Sequence, residues 1–565
     1  MQKVLLVGGA GEFGRRLLRG LIETTDLDVI VAGRDITRCE RIARDFNLGR
    51  ARTRVSALQY DATRASVDQL RASGAFLVAD AAGPYQHTNH NLVRAAIAAG
   101  MHYIDLADGR EFVARFGELD GVARKMGTTA LCGCSSTPAL STAVLDQLTP
   151  GWQAIETVHV GISPGNRASP CGLSVIRSIL SYAGKPVRVF VDGEWTTRMG
   201  WGPPQRREMG ILRARWLSLC ETPDLDILPA RYCVHREALF RGGLELAVFH
   251  FGLFALGAIA WSRLVGSLEP LAPWVQKAAK ATATLGSDRG GMLVEVTGLN
   301  RDGARVYAKW TLIAESGDGP YVPTLPALAA IRALVEKRLN RPGASACVGM
   351  LDLATIADEF RPYRITTQME TRTLDTSPSP FERLLGRSFE QLPEPVRHFH
   401  SLRHALMTEG RAKVSIAPGF ISALVCAVFG LPAAGDDVLV SVFFLPKPNG
   451  LEFWRRRFAK RRYQSTMGVF ASGTASLLIE HFGPFRLFFK LTPQDDSLEW
   501  LLVRWKFLFL PLPRWTLLKV KCRESADGVR FVFDIDFALP IIGPVIHYTG
   551  WLLPVQSVGG GRHIS

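Results

Sequence analysis

The sequence has no cysteine spacing typical of a zinc site or a redox pair. Its nine cysteines include no CxxC motif, and no Cys/His cluster has zinc spacing. Scattered cysteines of this kind are typical of a reduced, cytoplasmic protein. We therefore expect free thiols, no metal ion and a cytoplasmic location.

Long apolar runs are also scarce. The N-terminal run Val4–Val7 is too short for a signal peptide and leads directly into glycines. The uncharged stretch Leu246–Ser262 is at the lower length limit for a bilayer span and contains His250. We expect a helix buried by protein, either within the chain or in a homodimer. Peripheral contact with a membrane surface and a true span are the alternatives.

The chain lacks a nucleic-acid-binding motif, although its net charge is +15. A basic surface attracts phosphates, anionic cofactors and anionic membranes. We therefore expect a generally basic, solvated surface and no nucleic-acid partner.

The 565 residues exceed one ordinary domain. In residues 1–140, short apolar runs alternate with helical patterns, which predicts a doubly wound parallel sheet. Residues 141–372 lose that rhythm and predict an α+β domain for substrate binding or dimerisation. A linker rich in Ser, Thr and Pro covers 373–380. A strand-rich α+β domain covers 381–553, and a tail covers 554–565.

The strongest motif is GAGEFG, a full GxGxxG sequence between a predicted strand and a predicted helix. Gly9 permits the tight turn, Gly11 admits a pyrophosphate, and Gly14 lets the helix pack close to the sheet. The helix N-terminus then faces the phosphates. This context predicts a Rossmann dinucleotide-binding site that also includes Glu12 and Phe13.

The tip of the second strand indicates which dinucleotide binds. An NAD site usually has an acid there, whereas this chain has Arg34 followed by Asp35. A guanidinium at the tip pairs with the 2′-phosphate of NADP. We therefore predict NADP, with NAD as the alternative that Asp35 keeps open. Asp61, after the third strand, either contacts the adenine amine or caps the next helix.

The segment AAGPYQ follows the fourth strand, where this fold passes the nicotinamide end of its cofactor. We expect Gly83 and Pro84 to contact the cofactor. Tyr85 and His87 are candidates for the proton donor after hydride transfer. The alternative is a polar loop-to-helix junction without a catalytic role.

These segments resemble the saccharopine dehydrogenase-like oxidoreductase family. The resemblance runs through GAGEFG, AGRD, AAGPYQ and GMHYIDL, and weakens towards residue 360. It implies a Rossmann domain, a second α+β domain and redox chemistry with a nicotinamide cofactor. Many relatives have a cysteine in the helix after the GPY loop, where this chain has Ala95 and Ala96. The family therefore supplies no catalytic residue here.

The C-terminal segments FERLLG, WRRRF and IHYTG resemble a domain of unknown function that is appended to such oxidoreductases. Strands apolar on both faces lie near the basic stretch Trp454–Arg462. This combination predicts a curved sheet around an apolar pocket, with Arg455, Arg457 and Arg461 near an anionic ligand. The alternative is an ordinary core below solvated cations.

The residues favour an NADP(H)-dependent oxidoreductase that transfers hydride to or from a small or lipid-like substrate. Two other interpretations remain open. One is a non-catalytic NADP(H)-binding sensor or scaffold, which the lack of a clear acid–base residue favours. The other is a lipid-binding protein, based on residues 246–262 and the C-terminal strands.

Overall fold

The structure is a computed structural model, and the chain folds into two compact units. The first comprises Met1–Arg301 and Val306–Arg372, and the second comprises Asp302–Arg305 and Thr373–Arg562. The described residues are 2–48, 54–86, 88–167, 172–374, 378–428, 430–447, 450–472, 475–494, 496–508, 510–513, 515, 517–540 and 543–555. The predicted linker and tail lie partly outside them.

Six strands and six helices alternate over the first part of the chain. The strands are β1 (Lys3–Val7), β2 (Asp28–Gly33), β3 (Val55–Gln59), β4 (Leu77–Asp80), β5 (His102–Asp105) and β6 (Thr129–Cys132). The helices are α1 (Glu12–Thr24), α2 (Ile36–Asn47), α3 (Val67–Ala72), α4 (Asn91–Ala98), α5 (Arg110–Ala114) and α6 (Asp120–Lys125). Short 3-10 helices cover Ala62–Arg64 and Phe116–Leu119.

A mixed region follows. Its strands are β7 (Ala154–Ser163), β8 (Pro186–Val191), β9 (Glu194–Met199), β10 (Gln205–Met209), β11 (Leu212–Leu219), β12 (Glu237–Gly242), β13 (Gly290–Leu299), β14 (Arg305–Ala314), β15 (Gly343–Ala346) and β16 (Ile365–Thr373). Its helices are α7 (Ser141–Leu148), α8 (Leu173–Tyr182), α9 (Asp224–Arg231), α10 (Ala247–Trp261), α11 (Ala272–Ala281), α12 (Leu325–Val335) and α13 (Leu353–Asp358). A π-helix covers Ser136–Leu140, and 3-10 helices cover Glu269–Leu271, Ala283–Leu285 and Gly319–Thr324.

The first sheet is parallel, with the order β15-β6-β5-β4-β1-β2-β3. This confirms the predicted doubly wound Rossmann sheet. Its edge strand β15 comes from residues far beyond the 1–140 range of the prediction. Helix α12 packs on α1 so closely that a Cβ added at Gly20 would lie 2.8 Å from Leu328 Cδ2.

The second sheet has the order β10-β11-β12-β7-β13-β14-β16, and β8 and β9 form a hairpin beside β12. β7 is parallel to β12 and antiparallel to β13. The sheet is therefore mixed, as the sequence predicted. One apolar core joins it to a face of the first sheet, with Leu6, Val144 and Val294 among its fully buried side chains.

Helix α10 is less buried than the sequence predicted. Only His250 and Gly257 in it are fully buried, whereas Val248 is 72% exposed and Trp261 is 46% exposed. The expected burial of Leu246–Ser262 within the chain is therefore wrong, because α10 presents apolar side chains on several faces and only part of its surface meets the core. Among the described residues, no helix is both long and apolar enough to cross a membrane.

The second unit begins with helices α14 (Pro380–Leu385) and α15 (Glu394–His400), with a 3-10 helix at Gly386–Gln391, and contains α16 (Phe420–Val428). Its strands are β17 (Leu406–Ile416), β18 (Gly435–Lys447), β19 (Leu451–Phe458), β20 (Arg461–Ser472), β21 (Ala475–Phe482), β22 (Phe485–Gln494), β23 (Ser497–Phe507), β24 (Leu510–Pro511), β25 (Lys519–Asp527), β26 (Arg530–Leu539) and β27 (Gly543–Pro554).

These strands form an antiparallel sheet in the order β22-β21-β20-β19-β18-β17-β27-β26-β25-β23-β24. Pairing of β22 with β23, from Phe485↔Phe507 to Gln494↔Ser497, closes ten of them into a barrel. The strand-rich prediction is confirmed, and the curvature becomes full closure. In a closed sheet every strand of the ring has a neighbour on each side, so the backbone N–H and C=O groups on both sides of the strand can be paired.

Candidate functional site

The loop between β1 and α1 is held in shape by glycines. Gly8 has a φ of +73°, and a Cβ added there would lie 2.8 Å from the backbone of Ala81. A Cβ on Gly14 would lie 2.2 Å from the Gly8 carbonyl oxygen. The tight turn therefore depends on Gly8. The sequence analysis had assigned this role to Gly9. Gly9 instead packs against Val31, because a Cβ added at Gly9 would lie 3.0 Å from Val31 Cγ1.

The N-terminus of α1 has the properties of a phosphate-binding site. Gly11 is the N-cap residue, and no side chain caps the helix there. A Cβ on Gly11 would meet only the Gly8 oxygen, at 3.1 Å, so Gly11 leaves the space before the helix open. Glu12 pairs with Arg16 at 2.5 Å. The positive end of the helix dipole therefore faces this space.

Arg34 and Asp35, at the end of β2, have different surroundings in the structure. Arg34 is exposed directly after the strand. Asp35 is the N-cap of α2, and its Oδ1 accepts a hydrogen bond from the Arg38 N–H at 3.0 Å. Asp61 caps the following 3-10 helix, and hydrogen bonds from Thr63 lower the pKa of its carboxyl. The charge of Arg34 lowers the same pKa further, so Arg34 and Asp61 are neighbours.

The loop after β4 lies beside the glycine loop, since a Cβ added at Gly8 would lie 2.8 Å from the backbone of Ala81 and Ala82. The contact of Gly83 and Pro84 with a cofactor stays a prediction. The Gly83 carbonyl accepts a hydrogen bond from Ser174 Oγ at 3.3 Å. Tyr85 is only 5% exposed, and its hydroxyl donates to the Asp80 carbonyl oxygen at 2.8 Å. Tyr85 therefore points into the core and is not placed to donate a proton to a substrate. His87 lies outside the described residues.

Two buried carboxyl groups fix the loops at the carboxyl edge of the sheet. Asp80 Oδ1 accepts from the Ala82 N–H at 2.9 Å. Asp105 Oδ1 accepts from the N–H groups of Gly133, at 2.7 Å, and Ala107, at 2.9 Å. Burial raises the pKa of Asp80 to about 6 and that of Asp105 to about 8. These carboxyls are structural, because their hydrogen bonds hold the loops that carry the site.

A cavity of about 310 Å³ lies between the two sheets of the first unit. It begins at the glycine loop, where Glu12 and Phe13 line it, and extends to the mixed sheet. Its walls are largely apolar, and include Val175, Ile179, Trp201, Phe240, Met292, Leu312 and Val322. Pockets with apolar walls and a few polar groups are typical of small-molecule sites.

Apart from Glu12, the acidic groups of this cavity are ones that the sequence analysis did not identify. Asp108 accepts a hydrogen bond from Gln86 Nε2 at 3.2 Å, and the same amide lies 2.6 Å from Ser178 Oγ. Burial raises the pKa of the Asp108 carboxyl. Burial also raises the pKa of Glu221, whose carboxylate lies 3.8 Å from the Arg110 guanidinium. Both acids line the cavity, and burial favours the protonated form of each.

A tyrosine and a cysteine line the same wall. The Tyr182 hydroxyl is hydrogen-bonded to the Cys220 thiol, and burial raises the pKa of both groups, that of Cys220 to about 12. The thiol is therefore protonated and unreactive at neutral pH. Among the described residues, no group of His, Cys, Asp and Glu side chains could hold a metal ion.

Comparison with known families identifies the domain that carries the glycine loop. Residues 4–131 match the family profile of the saccharopine dehydrogenase NADP-binding domain. The N-terminal domain is therefore similar to the saccharopine dehydrogenase NADP-binding domain. The match confirms the resemblance inferred from GAGEFG and its companion segments. Residues 392–552 match a domain of unknown function, DUF4166, which confirms the second resemblance.

The similarity of the chain to solved structures is distant. Apo histidine-tagged saccharopine dehydrogenase (L-Glu forming) from Saccharomyces cerevisiae is 13% identical over 66% of this chain and 100% of that chain, with a TM-score of 0.48. A dehydrogenase from Chromobacterium violaceum is 10% identical over 64% of this chain and 92% of its own, with a TM-score of 0.30. No curated protein matches the chain. The assignment of both domains therefore rests on the family profiles.

The saccharopine dehydrogenase-like domain supplies the cofactor loop, and most of the remaining cavity wall comes from the mixed sheet and α8. Asp108 follows β5 closely, so a polar residue just beyond a parallel strand was the signal that could have identified it. Glu221 and Tyr182 had no such signal, because the mixed region has no repeating pattern that places its residues at one edge.

The DUF4166 barrel contains a separate apolar cavity, and the register of β19 decides which cation faces it. Arg456 lines the cavity. Arg457 is exposed, and Arg455 lies over the Phe443 ring at 5.2 Å on the other face of the strand. Arg461 donates to the Leu431 carbonyl at 3.0 Å. The prediction that Arg455 and Arg457 lie near a ligand in the pocket is therefore wrong, since alternate residues of a strand face opposite sides. Arg461 is on the neighbouring strand β20, and its bonding partner Leu431 lines the cavity, so its place near a ligand stays a prediction.

Proposed function

We propose that the protein is an NADP(H)-dependent oxidoreductase that transfers hydride to or from a small or lipid-like substrate in the cavity of the first unit. The observation that carries this proposal is the continuity of that cavity. It begins at the glycine loop, at Glu12 and Phe13, and reaches the partly buried acids Asp108 and Glu221.

The residues of the nucleotide-binding edge fit NADP. The α1 N-terminus and the open space at Gly11 accept a pyrophosphate. Arg34 is exposed at the strand tip, where it can pair with a 2′-phosphate. The carboxylate of Asp35 is occupied as a helix cap, which disfavours its use on the ribose of NAD. When bound, the cofactor supplies the hydride chemistry.

The cavity supports a substrate with an apolar body and a polar reacting group. The apolar walls would exclude water from the reacting atoms and hold the body of the substrate. Asp108 is the group that we assign to proton transfer, because its pKa is raised and Gln86 orients its carboxyl. An acid with a raised pKa can donate or accept a proton near neutral pH.

The experiment combines the purified full chain with NADP or NADPH and a metabolite extract, and follows the absorbance of the reduced nicotinamide. We expect turnover by the native chain and by Asp45→Asn, an exposed control. Gly11→Val should lose binding and turnover together. Asp108→Asn should bind the cofactor normally but lose most turnover, roughly 100-fold or more.

The outcome separates the catalytic proposal from its alternative. Tight NADPH binding with no turnover in any extract would favour a non-catalytic sensor or scaffold. Full activity of Asp108→Asn would remove Asp108 from the mechanism and make Glu221, which also lines the cavity, the next candidate. The cytoplasmic location is part of the same proposal, and it is supported by the eight described cysteines, all of which are free.

A further inference from the structure

The DUF4166 barrel encloses a cavity of about 260 Å³. This volume is close to the lower end of the range of about 300–1,000 Å³ for small-molecule pockets. The walls are aromatic and aliphatic side chains from β22, β23, β25 and β26, and include Leu487, Phe489, Trp500, Val520, Ile535 and Phe537. An apolar cavity of this size inside a closed barrel is suited to one small lipophilic molecule.

One end of the cavity is closed by packed side chains. His400 stacks on Phe381 with ring centroids 3.8 Å apart, and the pair lies against Trp454 and Trp500. His400 Nε2 lies 2.6 Å from a Glu524 carboxylate oxygen, which also accepts from Trp500 Nε1 at 3.1 Å. These contacts leave no entry for a ligand between the helices α14–α15 and the barrel.

Helix α16 covers the cavity more loosely. Val425 and Leu431 from this segment line the cavity, whereas Phe420 is 79% exposed and Leu424 is 47% exposed. Arg461, at the start of β20, holds the segment by hydrogen bonds to the Cys426 and Leu431 carbonyls. Few apolar contacts therefore hold α16, and a ligand would enter beneath it.

The polar groups inside the cavity form one compact set. Arg456 lies 3.6 Å from a Glu480 carboxylate oxygen and donates to Ser465 Oγ at 2.9 Å. The hydroxyls of Tyr463 and Tyr548 lie 3.0 Å apart. Burial raises the pKa of both tyrosines, so they stay protonated and can donate. The set offers hydrogen bonds at one place in a largely apolar wall. The other acid that lines the cavity, Glu524, is engaged by His400 and Trp500.

The charge of this set is already balanced. Arg456 carries the positive charge and Glu480 the negative charge. Arg455 lies over the Phe443 ring on the other face of β19, and Arg457 is exposed. Arg461, on β20, is engaged by the Cys426 and Leu431 carbonyls. A carboxylate head group would lie near Glu480 and lose its hydration without an unpaired cation to compensate. A neutral head group can bond with the tyrosine hydroxyls at no such cost.

We propose that the DUF4166 barrel binds an uncharged lipophilic molecule with one hydrogen-bonding head group, such as an alcohol, ketone or ester, and that it disfavours the matching carboxylate. The head group contacts Tyr463, Tyr548 and Arg456, and the apolar body fills the space below α16. This site is separate from the nucleotide cavity and does not depend on the proposed redox reaction.

The test is isothermal titration of the full chain, at neutral pH, with decanol and with decanoate. We expect decanol to bind, and decanoate to bind at least about tenfold more weakly. Leu487→Trp, which fills the cavity, should abolish binding. Leu501→Trp makes the same change at an exposed position of β23 and should leave binding intact. Tyr548→Phe removes one hydroxyl and should weaken decanol about 2- to 10-fold.

Three results would overturn the proposal. Equal or tighter binding of decanoate would contradict the neutral head group. Decanol binding that survives Leu487→Trp would place the ligand outside the barrel. Absence of decanol binding to the native chain would remove the site. If Leu487→Trp unfolds, which circular dichroism would show, Tyr548→Phe decides the location, and an unchanged affinity counts against the barrel.

Discussion

Asp35 accepts a hydrogen bond from the backbone N–H of Arg38 at 3.0 Å, and this bond anchors the first turn of α2. The acid closest to the ribose position is therefore occupied by its own helix. A free acid there would bond to the ribose 2′-OH and repel a 2′-phosphate. With Asp35 engaged, Arg34 is the residue at this tip to which we assign the proposed preference for NADP over NAD.

Arg34→Ala should reduce the affinity for NADPH by roughly 10- to 100-fold, because it removes a charge-assisted pair with the 2′-phosphate. The affinity for NADH should change little. Fluorescence titration of both nucleotides measures the ratio. Arg41→Ala removes the same charge from an exposed position on α2 and serves as the control. Equal affinities of the native chain for NADPH and NADH would contradict the NADP assignment.

Two glycines of the loop should respond differently to substitution. Gly11→Val should abolish dinucleotide binding and lower the melting temperature by much less than Gly14→Ala does, because its Cβ would meet one backbone atom, the Gly8 oxygen, at 3.1 Å. Gly14→Ala should destabilise the fold itself, since its Cβ would lie 2.2 Å from a backbone oxygen. Thermal denaturation and nucleotide titration on both variants separate the effects. Normal nucleotide binding by Gly11→Val would place the phosphates elsewhere.

The buried Asp105 should make the first unit less stable as pH rises. Its folded-state pKa is about 8, well above the unfolded value, so the folded chain keeps a proton that the unfolded chain loses. The free energy of unfolding should therefore fall between about pH 4 and pH 8, by at most about 1.4 kcal/mol per pH unit for this group, and then level off.

Asp105→Asn should flatten that slope, because its amide oxygen can accept the same two backbone hydrogen bonds. Denaturant unfolding at several pH values measures the effect. The transition that shifts when NADPH is added identifies the first unit. Asp45→Asn, at an exposed position, should leave the slope unchanged. If the free energy of unfolding of Asp105→Asn still falls with pH, the proton belongs to another group. Asp80, whose pKa is also raised, is then the next candidate.

Helix α10 offers a contrast between buried and exposed positions. The side chain of His250 is fully buried. Its Nε2 lies 3.0 Å from Ser218 Oγ, and its Nδ1 accepts a hydrogen bond from the Leu244 N–H. His250→Ala should lower the free energy of unfolding by about 2–4 kcal/mol, since it leaves a cavity and two unpaired groups. Val248→Asp should change it by less than about 0.5 kcal/mol. A large loss for Val248→Asp would show that this face is covered in solution.

The first sheet was predictable from sequence because its pattern is local. Each strand from β1 to β6 is a short apolar run next to an amphipathic helix, and the glycine loop lies between the first pair. The mixed sheet was only partly predictable. β12 pairs in parallel with β7, which ended far earlier in the chain, and no local pattern specifies that partner. Glu221 therefore reaches the cavity without a sequence signal.

The barrel shows a second limit of sequence reasoning. The sequence predicted a basic stretch near strands that are apolar on both faces, and the structure contains both features. It could not give the register, because a strand that is apolar on both faces does not reveal which parity faces inward. A shift of the β19 register by one residue would turn Arg456 out of the cavity and Arg455 and Arg457 into it. The cavity would then carry two positive charges in place of one Arg–Glu pair.

Strand β15 completes the nucleotide-binding sheet from a point far along the chain, pairing with β6 from Gly343↔Thr129 to Ala346↔Cys132. On the ribosome, β6 therefore remains an open sheet edge until the entire mixed region has been synthesised. An open edge offers unpaired backbone N–H and C=O groups to other chains. Nascent chains are thus exposed to aggregation during this interval, and a protein truncated before Gly343 keeps that exposed edge permanently.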